Sequence, residues 1–565
     1  MKIIQKTFDW ETAGLISKEW YGKNWPVVYI LNSRTEAYIG ETTSITNRMK
    51  QHLDSSQRKS LKQTSIIIDK RFNKSAVLDI ESKLIEYMSA DQKFSIQNSN
   101  SGMRNHNYYD KDIYDSLFRS IWNDLRKKKI ADHDIDLLYN SEIFKYTPYK
   151  SLTEEQFTVM RELIVDILDS TLEGKESTTV INGEAGTGKT VMAMYLMKLF
   201  ADKKIIDFLS FDNEELITKY ETIVDRITNF KIALVVPMTS LRGTLKKVAK
   251  SITGLDTSMI IGPNDVAKTK YDLLIVDESH RLYRRVGITG YGSYDLVNKK
   301  LLLDKESTQL DWIIKQSSHN VFFYDETQSV RPSDIRKQDF LKLKDVDNYS
   351  RYTIQSQLRV LGGADYIKYI SSLLYNKVEI VRDFKDKDYD FRMFDSISDM
   401  RNEIYNKERE VGLSRVVAGY AWFWKSKGKS YQDAMRENLY DIHIESEKFI
   451  WNTTNSSWVM NKNSVNEVGS IHTIQGYDLN YVGVIIGGDL TYNTNTNSIE
   501  IVKVNYFDSK GKVSILNDEE LKDYILNIYK VLLTRGIKGT YVYVVDANLR
   551  DYLNRFIENS RVKSI

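Results

Sequence analysis

Short apolar runs separated by polar turns predict a small α/β domain at the start of the chain. The runs Val27–Leu31 and Ala37–Ile39 predict two strands of a hairpin. A helix is expected near Ser44–Leu53, then a strand at Ser65–Asp69 and a helix at Ala76–Ser89. A polar, loop-like stretch follows, so this domain is expected to span residues 1–108.

Beyond a helical linker from about Asp110 to Tyr139, apolar strands alternate with helices. This alternation is typical of a parallel sheet covered on both faces, and seven strands favour two sheets over one. The segment Gly487–Lys512, rich in Asn, Thr and Gly, is expected to be an exposed loop or hairpin. The seven expected strands are Thr178–Asn182, Ile232–Pro237, Leu273–Asp277, Val321–Tyr324, Val416–Ala421, Val482–Ile486 and Tyr541–Val545.

Composition narrows the class of protein. The 565 residues are 41% hydrophobic and 28% charged, which is globular composition and excludes a fully disordered chain. The chain has no cysteine, which excludes disulfide scaffolds, thiolate zinc sites and cysteine nucleophiles. No apolar run approaches the length of about 18 residues needed to cross a bilayer, and the first residues do not resemble a signal peptide. We therefore expect a cytoplasmic protein without membrane contact.

The net charge of +3 excludes a uniformly basic protein, but a local basic patch can still bind nucleic acid. Between Arg48 and Lys74, eight basic residues accompany only Asp54 and Asp69. A solvated face is the ordinary explanation of such a charge run, and nucleic-acid binding is the alternative. The candidate phosphate contacts in this stretch are Lys50, Arg58, Lys59 and Lys62.

A phosphate-binding loop is predicted at residues 183–190, which read GEAGTGKT. The sequence fits G-x-x-x-x-G-K-[ST] and lies between an apolar strand and a helix, as the motif requires. Backbone N–H groups around Gly183, Gly186 and Gly188 would surround the phosphates of ATP, and Lys189 would reach the β- and γ-phosphates. Thr190 would hold Mg²⁺. The alternative is a glycine-rich turn.

A pair of acids, Asp277 and Glu278, ends the apolar strand YDLLIV. Ligands bind at the carboxyl ends of parallel strands, so both carboxylates are placed at the expected nucleotide site. Asp277 would hold the metal and Glu278 would polarise the attacking water. An exposed acidic strand end is the alternative.

Further motifs follow in the order found in superfamily 1 helicases, which this part of the chain resembles. The resemblance implies that Gln156 reads adenine, although Thr153-x-x-Gln156 also matches a helix capping box. It implies that Arg535 is an arginine finger delivered from a second domain. Nucleic-acid contacts are implied at Thr239, Ser240, Arg242, His472 and Thr473, and nucleotide contacts at Gln328, Arg359 and Gly476.

More narrowly, residues 145–550 resemble the bacterial helicase-like family related to the helicase part of Schlafen proteins. The resemblance implies two RecA-like lobes, expected at 146–345 and 346–565, after a linker at 109–145. The short separation of Arg359 from His472 leaves no room for a large insertion in the second lobe. ATP-driven translocation or remodelling is therefore a safer expectation than duplex unwinding.

Residues 25–105 resemble the GIY-YIG nuclease family. Tyr29 matches the first half of the motif, and Tyr38 begins the second half, YIG. The first motif reads VVY instead of GIY, but the tyrosine is kept. The other residues that match the family pattern are Arg48, His52, Glu81 and Asn98, with Asn100 as a weaker candidate for the last.

The resemblance implies metal-dependent phosphodiester cleavage. Glu81 would bind Mg²⁺ or Mn²⁺, and Arg48 would stabilise charge on the scissile phosphate. Tyr29 would accept the proton of the attacking water, with Tyr38 or His52 assisting, once its ionisation is eased. Two tyrosines on a hairpin are also common packing residues, so a folded but inactive domain is the alternative.

The sequence thus predicts a small GIY-YIG α/β domain followed by two RecA-like parallel-sheet lobes. The predicted function is an ATP-dependent nucleic-acid motor coupled to an endonuclease, acting on DNA rather than RNA. Restriction of phage DNA follows only by analogy with this domain pairing. Two alternatives stay open: a motor whose first domain only grips nucleic acid, and an ATP-gated RNA or DNA sensor.

Overall fold

The structure is a computed structural model that describes most of the chain. The described residues are 1–98, 108–209, 218–346, 348–357, 360–375, 384, 386–454, 458–474, 477–513, 515 and 517–560.

The first domain is a five-stranded mixed sheet with helices on both faces. Its strand order is β1-β4-β2-β3-β5, antiparallel throughout except for the pair β3 and β5. In chain order its elements are β1 (Lys2–Thr7), α1 (Trp10–Ile16), β2 (Val27–Asn32), β3 (Glu36–Thr42), α2 (Ile45–Asp54), β4 (Gln63–Ile68), α3 (Lys74–Asp91) and β5 (Ser95–Ile96).

The alternation of side chains along β2 divides the core of this domain into two layers. Tyr29 and Leu31 face α1 and α2, and they pack with Met49. Val28 and Ile30 face the opposite side, where α3 covers them. The hairpin and both helices predicted from the sequence are therefore confirmed: the hairpin strands and α3 are longer than predicted, and α2 is shifted by one residue.

Three helices connect the first domain to the rest: α4 (Lys111–Lys127), α5 (Ile135–Tyr139) and α6 (Glu142–Tyr146). The expected helical linker is present, but it is packed rather than extended. Trp122 of α4 is fully buried, and its ring lies 5.6 Å from that of Tyr87 on α3. Phe144 of α6 stacks on the same Tyr87 at 4.5 Å. One apolar core therefore runs from the first sheet into the next domain.

The first lobe contains a parallel six-stranded sheet in the order β11-β6-β10-β9-β7-β8. Its strands are β6 (Ser177–Gly183), β7 (Ile232–Val235), β8 (Ile260–Ile261), β9 (Tyr271–Val276), β10 (Ser317–Tyr324) and β11 (Tyr349–Ile354). Its helices are α7 (Glu154–Leu172), α8 (Lys189–Ala201), α9 (Ile205–Leu209), α10 (Val224–Thr228), α11 (Thr239–Lys250), α12 (Tyr291–Lys300), α13 (Gln309–Gln316) and α14 (Lys337–Leu341).

The second lobe contains a parallel five-stranded sheet in the order β12-β20-β17-β13-β16. Its strands are β12 (Asp390–Met393), β13 (Ser414–Ala418), β16 (Val468–Ser470), β17 (Leu479–Ile486) and β20 (Gly536–Val544). Two hairpins join it, β14 (Ile442–Ile444) with β15 (Glu447–Phe449), and β18 (Leu490–Asn493) with β19 (Ser498–Ile501). Its helices are α15 (Gly363–Leu374), α16 (Ile397–Val411), α17 (Tyr431–Arg436), α18 (Ile471–Ile474), α19 (Asp518–Leu533) and α20 (Ala547–Leu553).

The two parallel sheets confirm the predicted fold class. The segment Gly487–Lys512 does form a hairpin, but the expectation that it is exposed was wrong, because β18 packs against α20. The buried apolar side chains of this segment are Leu490, Tyr492, Ile499 and Tyr506. In the described residues, no helix is both long and apolar enough to span a membrane.

Candidate functional site

The glycine-rich turn between β6 and α8 has the geometry of a phosphate-binding loop. Gly186 and Gly188 have φ of +89° and +79°, which favour glycine because a Cβ would clash with the backbone. Helix α8 begins at Lys189, so its first N–H groups point into the turn. The Lys189 ammonium donates to the carbonyls of Gly183 (2.5 Å) and Glu184 (2.8 Å). The turn therefore presents one cation and several N–H donors to a single point.

Asp277 lies directly after β9, at the carboxyl edge of the first-lobe sheet. Burial and the neighbouring Glu278 raise the pKa of Asp277 to about 7, and the nearby Thr190 hydroxyl opposes this rise. One buried carboxylate oxygen of Asp277 has no hydrogen-bond partner among the described residues. An orphaned carboxylate oxygen beside a hydroxyl is a donor set that suits Mg²⁺, which prefers hard oxygen ligands. Thr190 and Asp277 therefore fit the expected metal.

Glu278 is held as an anion next to this pair. Burial opposes its ionisation, but His280, Lys189 and Arg535 hold the pKa of this carboxyl well below its usual range. The His280 Nε2 lies 3.0 Å from a Glu278 oxygen. Glu278 also has a left-handed φ of +50°, and its N–H donates to Asp277 at 3.0 Å. A buried carboxylate in this state is an anion that can accept a hydrogen bond from a water molecule and polarise it.

A chain of polar contacts crosses from the first lobe to the second. Lys189 lies 3.3 Å from Asp325, which follows β10. Gln328 donates to Asp325 at 2.6 Å and accepts from Arg535 at 2.9 Å. Arg535 lies between α19 and β20 of the second lobe and is only 1% exposed. We call Lys189, Asp325, Gln328 and Arg535 the interlobe relay.

Gln156 forms the capping box that was one of the two interpretations drawn from the sequence, and its role in reading adenine stays a prediction. It completes the capping box with Thr153, accepting from the Thr153 N–H at 3.0 Å. Its amide nitrogen donates to the carbonyl of Thr187 in the phosphate loop at 2.8 Å. The glutamine therefore joins the start of α7 to the loop. Arg359 and Gly476, also expected at this site, lie outside the described residues.

The nucleotide pocket has a wall that the sequence did not predict. Besides the phosphate loop, Gln156, Glu278 and Gln328, it is lined by the segment 145–151 and by Asp478 of the second lobe. The members of that segment that line it are Lys145, Tyr146, Lys150 and Ser151. The sequence signal that could have found them is their position just before the Gln156 motif.

A second cleft between the lobes contains part of the expected nucleic-acid contacts. Thr239 and Ser240, at the start of α11, share it with His472 of the second lobe and with Arg331, which the sequence did not predict. Burial, followed by the nearby Arg331, lowers the pKa of His472 to about 4, so this imidazole is neutral at pH 7.

Two of the expected contacts are instead used inside the protein. The Arg242 guanidinium donates to the carbonyl of Val236 at 2.7 Å and to the Thr239 hydroxyl at 3.3 Å. Thr473 is 3% exposed, and its hydroxyl donates to the carbonyl of Ser470 at 2.9 Å. These two side chains hold the loops in place rather than lining the cleft.

The first domain brings its predicted residues together around Tyr29. The Tyr29 hydroxyl lies 2.8 Å from Nε2 of His52 and accepts from Arg48 at 3.3 Å. Tyr29 donates its phenol hydrogen to His52 in the tautomer in which Nε2 of His52 carries no proton. The ring of Tyr38 lies 5.0 Å from that of His52, and the Arg58 guanidinium lies 4.1 Å from the centre of the Tyr38 ring.

The ionisation of Tyr29 differs from the expectation. Burial raises the pKa of its hydroxyl, and the opposing influence of Arg48 is smaller, so Tyr29 keeps its proton at neutral pH. Burial lowers the pKa of His52 to about 4, and this neutral imidazole is available as a proton acceptor. The pair therefore makes His52 the stronger candidate base, with Tyr29 as its hydrogen-bond donor.

Glu81 on α3 lies close to the same cluster. Burial, and then the nearby Glu41, raise the pKa of Glu81 to about 7. Lys74 compensates Glu41 through an ion pair of 2.5 Å. Glu81 is half-buried, and its carboxylate can supply an oxygen ligand to a divalent cation. Among the described residues, no group of three or more His, Asp or Glu side chains could hold a metal, so protein ligands alone would not complete this site.

Asn98 has a structural role here. Its side chain accepts from the N–H of Ile39 at 2.9 Å and donates to the carbonyl of Ile39 at 2.8 Å, both buried. It therefore fixes the edge of β3 next to Tyr38 instead of reaching the cluster itself.

Three of the expected phosphate contacts, Lys50, Lys59 and Lys62, are exposed. Asn100, the weaker candidate, lies outside the described residues.

Comparisons with known proteins found a yeast relative and several solved helicases. A yeast relative, "Uncharacterized protein YPL245W" of Saccharomyces cerevisiae (strain ATCC 204508 / S288c), is 28% identical over 431 residues, covering 70% of this chain and 89% of the relative. Two solved helicases also align. Pif1 from Bacteroides with ADP-AlF3 and ssDNA is 12% identical at a TM-score of 0.27, covering 71% of this chain and 94% of that one. Pif1 from Candida albicans is 11% identical at a TM-score of 0.24, covering 73% and 98%.

The family profile named Schlafen group 3, DNA/RNA helicase domain, matches residues 176–546. This range contains the phosphate loop, the acidic strand end at Asp277 and the arginine at 535. It covers more than half of the chain. The chain therefore belongs to the Schlafen group 3 DNA/RNA helicase family.

Proposed function

We propose that the chain is an ATP-driven nucleic-acid motor coupled to an N-terminal, metal-dependent phosphodiester endonuclease. The observation that carries the motor is the interlobe relay, because it connects the phosphate loop of one lobe to a buried arginine of the other. Hydrolysis that depends on an arginine from the second lobe depends on how the lobes are arranged. That dependence is what a motor needs.

Each residue of the nucleotide site has a defined part in this proposal. Lys189 binds the phosphates, and Thr190 and Asp277 hold Mg²⁺, which neutralises phosphate charge when bound. Glu278 polarises the attacking water. Arg535 stabilises the charge that develops on the transferred phosphoryl group, and Gln328 keeps Arg535 in position.

The nucleic acid is proposed to lie in the interlobe cleft. Thr239 and Ser240 supply hydroxyl groups, and Arg331 supplies positive charge for the phosphodiester backbone. Contacts of this kind read the backbone rather than the bases, so the cleft supports no sequence preference. DNA remains our proposed substrate over RNA, with restriction of foreign DNA in the cytoplasm as the proposed role.

The motor is tested by steady-state ATP hydrolysis with and without single-stranded DNA or RNA. Lys189→Ala is expected to abolish hydrolysis, because it removes the cation that binds the β- and γ-phosphates. Lys246→Ala, at an exposed lysine of the same lobe, is the matched control and should retain the wild-type rate. Hydrolysis by Lys189→Ala at the wild-type rate would refute the assignment of this loop.

The observation that carries the nuclease is the cluster of Tyr29, His52, Arg48 and Glu81. Arg48 would stabilise negative charge on a scissile phosphate, and Glu81 would hold a metal that acts as a Lewis acid there. His52 would take up a proton through Tyr29. The raised pKa of Tyr29 favours a second candidate, a domain that only binds nucleic acid, since its hydroxyl resists ionisation.

A cleavage assay separates these two candidates. Supercoiled plasmid, linear duplex, single-stranded DNA and RNA are incubated with Mg²⁺ or Mn²⁺, with and without ATP. Glu81→Gln is expected to lose cleavage. Glu86→Gln changes another inward carboxylate of α3, paired with Lys150 at 3.8 Å, and should cleave normally. Equal cleavage by both variants would contradict the nuclease assignment, and no cleavage by the wild type would favour the binding domain.

A further inference from the structure

A basic and aromatic groove lies on the first domain, away from the residues assigned above. It has a volume of about 750 Å³ and is formed by β1, the loop after α1 and the loop between β4 and α3. The residues that give it its chemistry are Lys2, Lys6, Trp20, Tyr21, Lys70 and Arg71. We call it the β1 groove.

The lysines of the β1 groove are available to an outside anion. Lys2 and Lys6 lie two strand positions on either side of Ile4, so they point to the same side of β1. Within the described part of the chain, the ammonium groups of Lys2, Lys6 and Lys70 have no acidic partner. Three exposed cations that line one groove attract an anion, and this attraction weakens as the salt concentration rises.

The acidic residue at the base of the groove is already compensated. Asp69 is buried and accepts two hydrogen bonds from the Arg71 guanidinium, at 2.9 and 2.8 Å. This pairing lowers the pKa of Asp69, so its charge is fixed and neutralised at all ordinary pH values. Glu19 is the other acid that lines the groove, and it is exposed. The groove therefore keeps a positive balance.

The aromatic residue Trp20 is exposed on one side of the groove and is held by neighbouring rings. Trp20 is 50% exposed. Its ring makes edge contacts with Tyr21 at 5.7 Å and with Trp25 at 5.2 Å, which fix its orientation. The indole of Trp25 is in turn bonded to the carbonyl of Asp69. An exposed, immobilised indole beside cations is the arrangement on which single-stranded bases stack.

The groove is connected to the candidate nuclease site through the start of α3. The loop at residues 69–73 forms part of the groove and leads directly into the helix that carries Glu81. Lys74, the first residue of that helix, pairs with Glu41 next to Glu81. The loop at residues 69–73 therefore links the groove to the helix that carries Glu81.

We propose that the β1 groove binds a single-stranded flank of the nucleic acid, with phosphates on Lys2, Lys6 and Lys70 and a base stacked on Trp20. The inference rests on the proposed nuclease function and specifies its substrate: a strand that is unpaired beside the cleavage point. A duplex cannot offer an unstacked base to Trp20, so the groove favours junctions, overhangs and unwound ends.

The first test is photo-cross-linking of the full chain to a single strand that contains 5-iodouracil, without divalent metal, followed by peptide mapping. Cross-links are expected at Trp20, since this base analogue reacts with aromatic rings that it stacks on. Lys2→Ala/Lys6→Ala should reduce that cross-link at least roughly fivefold. Lys18→Ala/Lys128→Ala, at two exposed lysines outside the groove, is the matched control.

The second test is the salt dependence of single-strand binding. Removing Lys2 and Lys6 should reduce the slope of log K against log salt by about 1.4, at about 0.7 per phosphate contact. Trp20→Ala should weaken binding roughly 5- to 100-fold, whereas Trp10→Ala, at an equally exposed indole outside the groove, should not.

The outcomes separate this inference from the proposed nuclease. If the protein cleaves nucleic acid but the cross-links fall elsewhere, or are unchanged in the double-lysine variant, the groove is refuted and the nuclease stands. If cleavage is absent but Trp20 cross-links as described, the nuclease is refuted and the groove is a binding site alone.

Discussion

Gln328 uses both ends of its amide, one toward each lobe. Its nitrogen donates to Asp325, and its oxygen accepts from Arg535, both in a buried environment. No other uncharged side chain of this size supplies a donor and an acceptor in that arrangement. Glutamate at this position would lose the donor and place a second negative charge beside Asp325.

Gln328→Ala and Gln328→Glu are therefore expected to lower kcat for ATP hydrolysis with little change in KM. Loss of the contact that positions Arg535 should lower kcat roughly 10- to 100-fold, and kcat should fall further in Gln328→Glu than in Gln328→Ala. Steady-state kinetics on both variants provide the check. A rise in KM with unchanged kcat would show that Gln328 only helps ATP to bind.

Gly40 lies against the face of the Tyr29 ring. A Cβ at this position would be 2.3 Å from the Tyr29 hydroxyl oxygen, so Gly40→Ala must displace the central residue of the cluster. We expect a loss of about 1–3 kcal/mol in the free energy of unfolding. Gly14→Ala is the control, since nothing lies within 4 Å of that position and alanine favours its helix. Denaturant titration measures both free energies of unfolding, and equal stability of the two variants would contradict the predicted clash at Gly40.

Asp489 should make stability depend on pH. Burial raises its pKa to about 7 in the folded protein, and the Tyr529 hydroxyl donates to it at 2.6 Å. Between pH 4 and 7 the unfolded chain loses this proton while the folded protein keeps it. The contribution of Asp489 to the free energy of unfolding is therefore fully present below about pH 4. It falls by roughly 4 kcal/mol between pH 4 and pH 7, and it does not change further above pH 7.

Asp489→Asn removes this titration and keeps an acceptor for Tyr529. The difference in unfolding free energy between the variant and the wild type should grow in the variant's favour from pH 4 to 7 and then level off. Urea titrations across this range measure it. A difference that does not change with pH would mean that Asp489 is ionised in the folded protein.

At the residue scale, local motifs were predictable and tertiary partners were not. The placement of Lys189, Thr190 and Asp277 followed from the sequence because each lies within a few residues of a strand end. Arg331 and Lys150 were missed because their partners come from distant parts of the chain. The protonation of Tyr29 was also missed, since it depends on burial that no local pattern records.

At the element scale, the buried parallel strands were the easiest to predict. β6 and β9 are continuous apolar runs, because both faces of their sheet are covered. β1 and β11 were missed: they are edge strands of their sheets, and much of each strand is exposed, so their sequences are mixed. The formation of an edge strand depends more on its hydrogen bonds to the neighbouring strand than on the hydrophobic pattern of its own sequence.

Helix α4 was predicted as a helix, but its packing was not. Trp122→Ala should cost about 3–5 kcal/mol in the free energy of unfolding, because a fully buried indole leaves a large cavity between α3 and α4. Trp10→Ala, at an exposed indole, should cost less than about 0.5 kcal/mol. Equal stability of the two variants would indicate that α4 is a detached spacer.

At the scale of the whole molecule, residues 140–151 contact all three domains. Asn140 accepts from Asn480 of the second lobe at 3.1 Å. Glu142 accepts from Thr244 of the first lobe at 3.0 Å. Ser151 lies 2.7 Å from Ser82, the residue after Glu81. This segment also lines the nucleotide pocket. A rearrangement of the segment on nucleotide binding would therefore change its contacts with all three domains.

The central claim is that the two lobes share one nucleotide site, completed by Arg535. The most direct measurement is ATP binding and single-turnover hydrolysis by Arg535→Ala beside the wild type. We predict that the variant binds ATP within a fewfold of the wild type but hydrolyses it about 10³-fold more slowly or worse. Hydrolysis by Arg535→Ala at the wild-type rate would contradict the account.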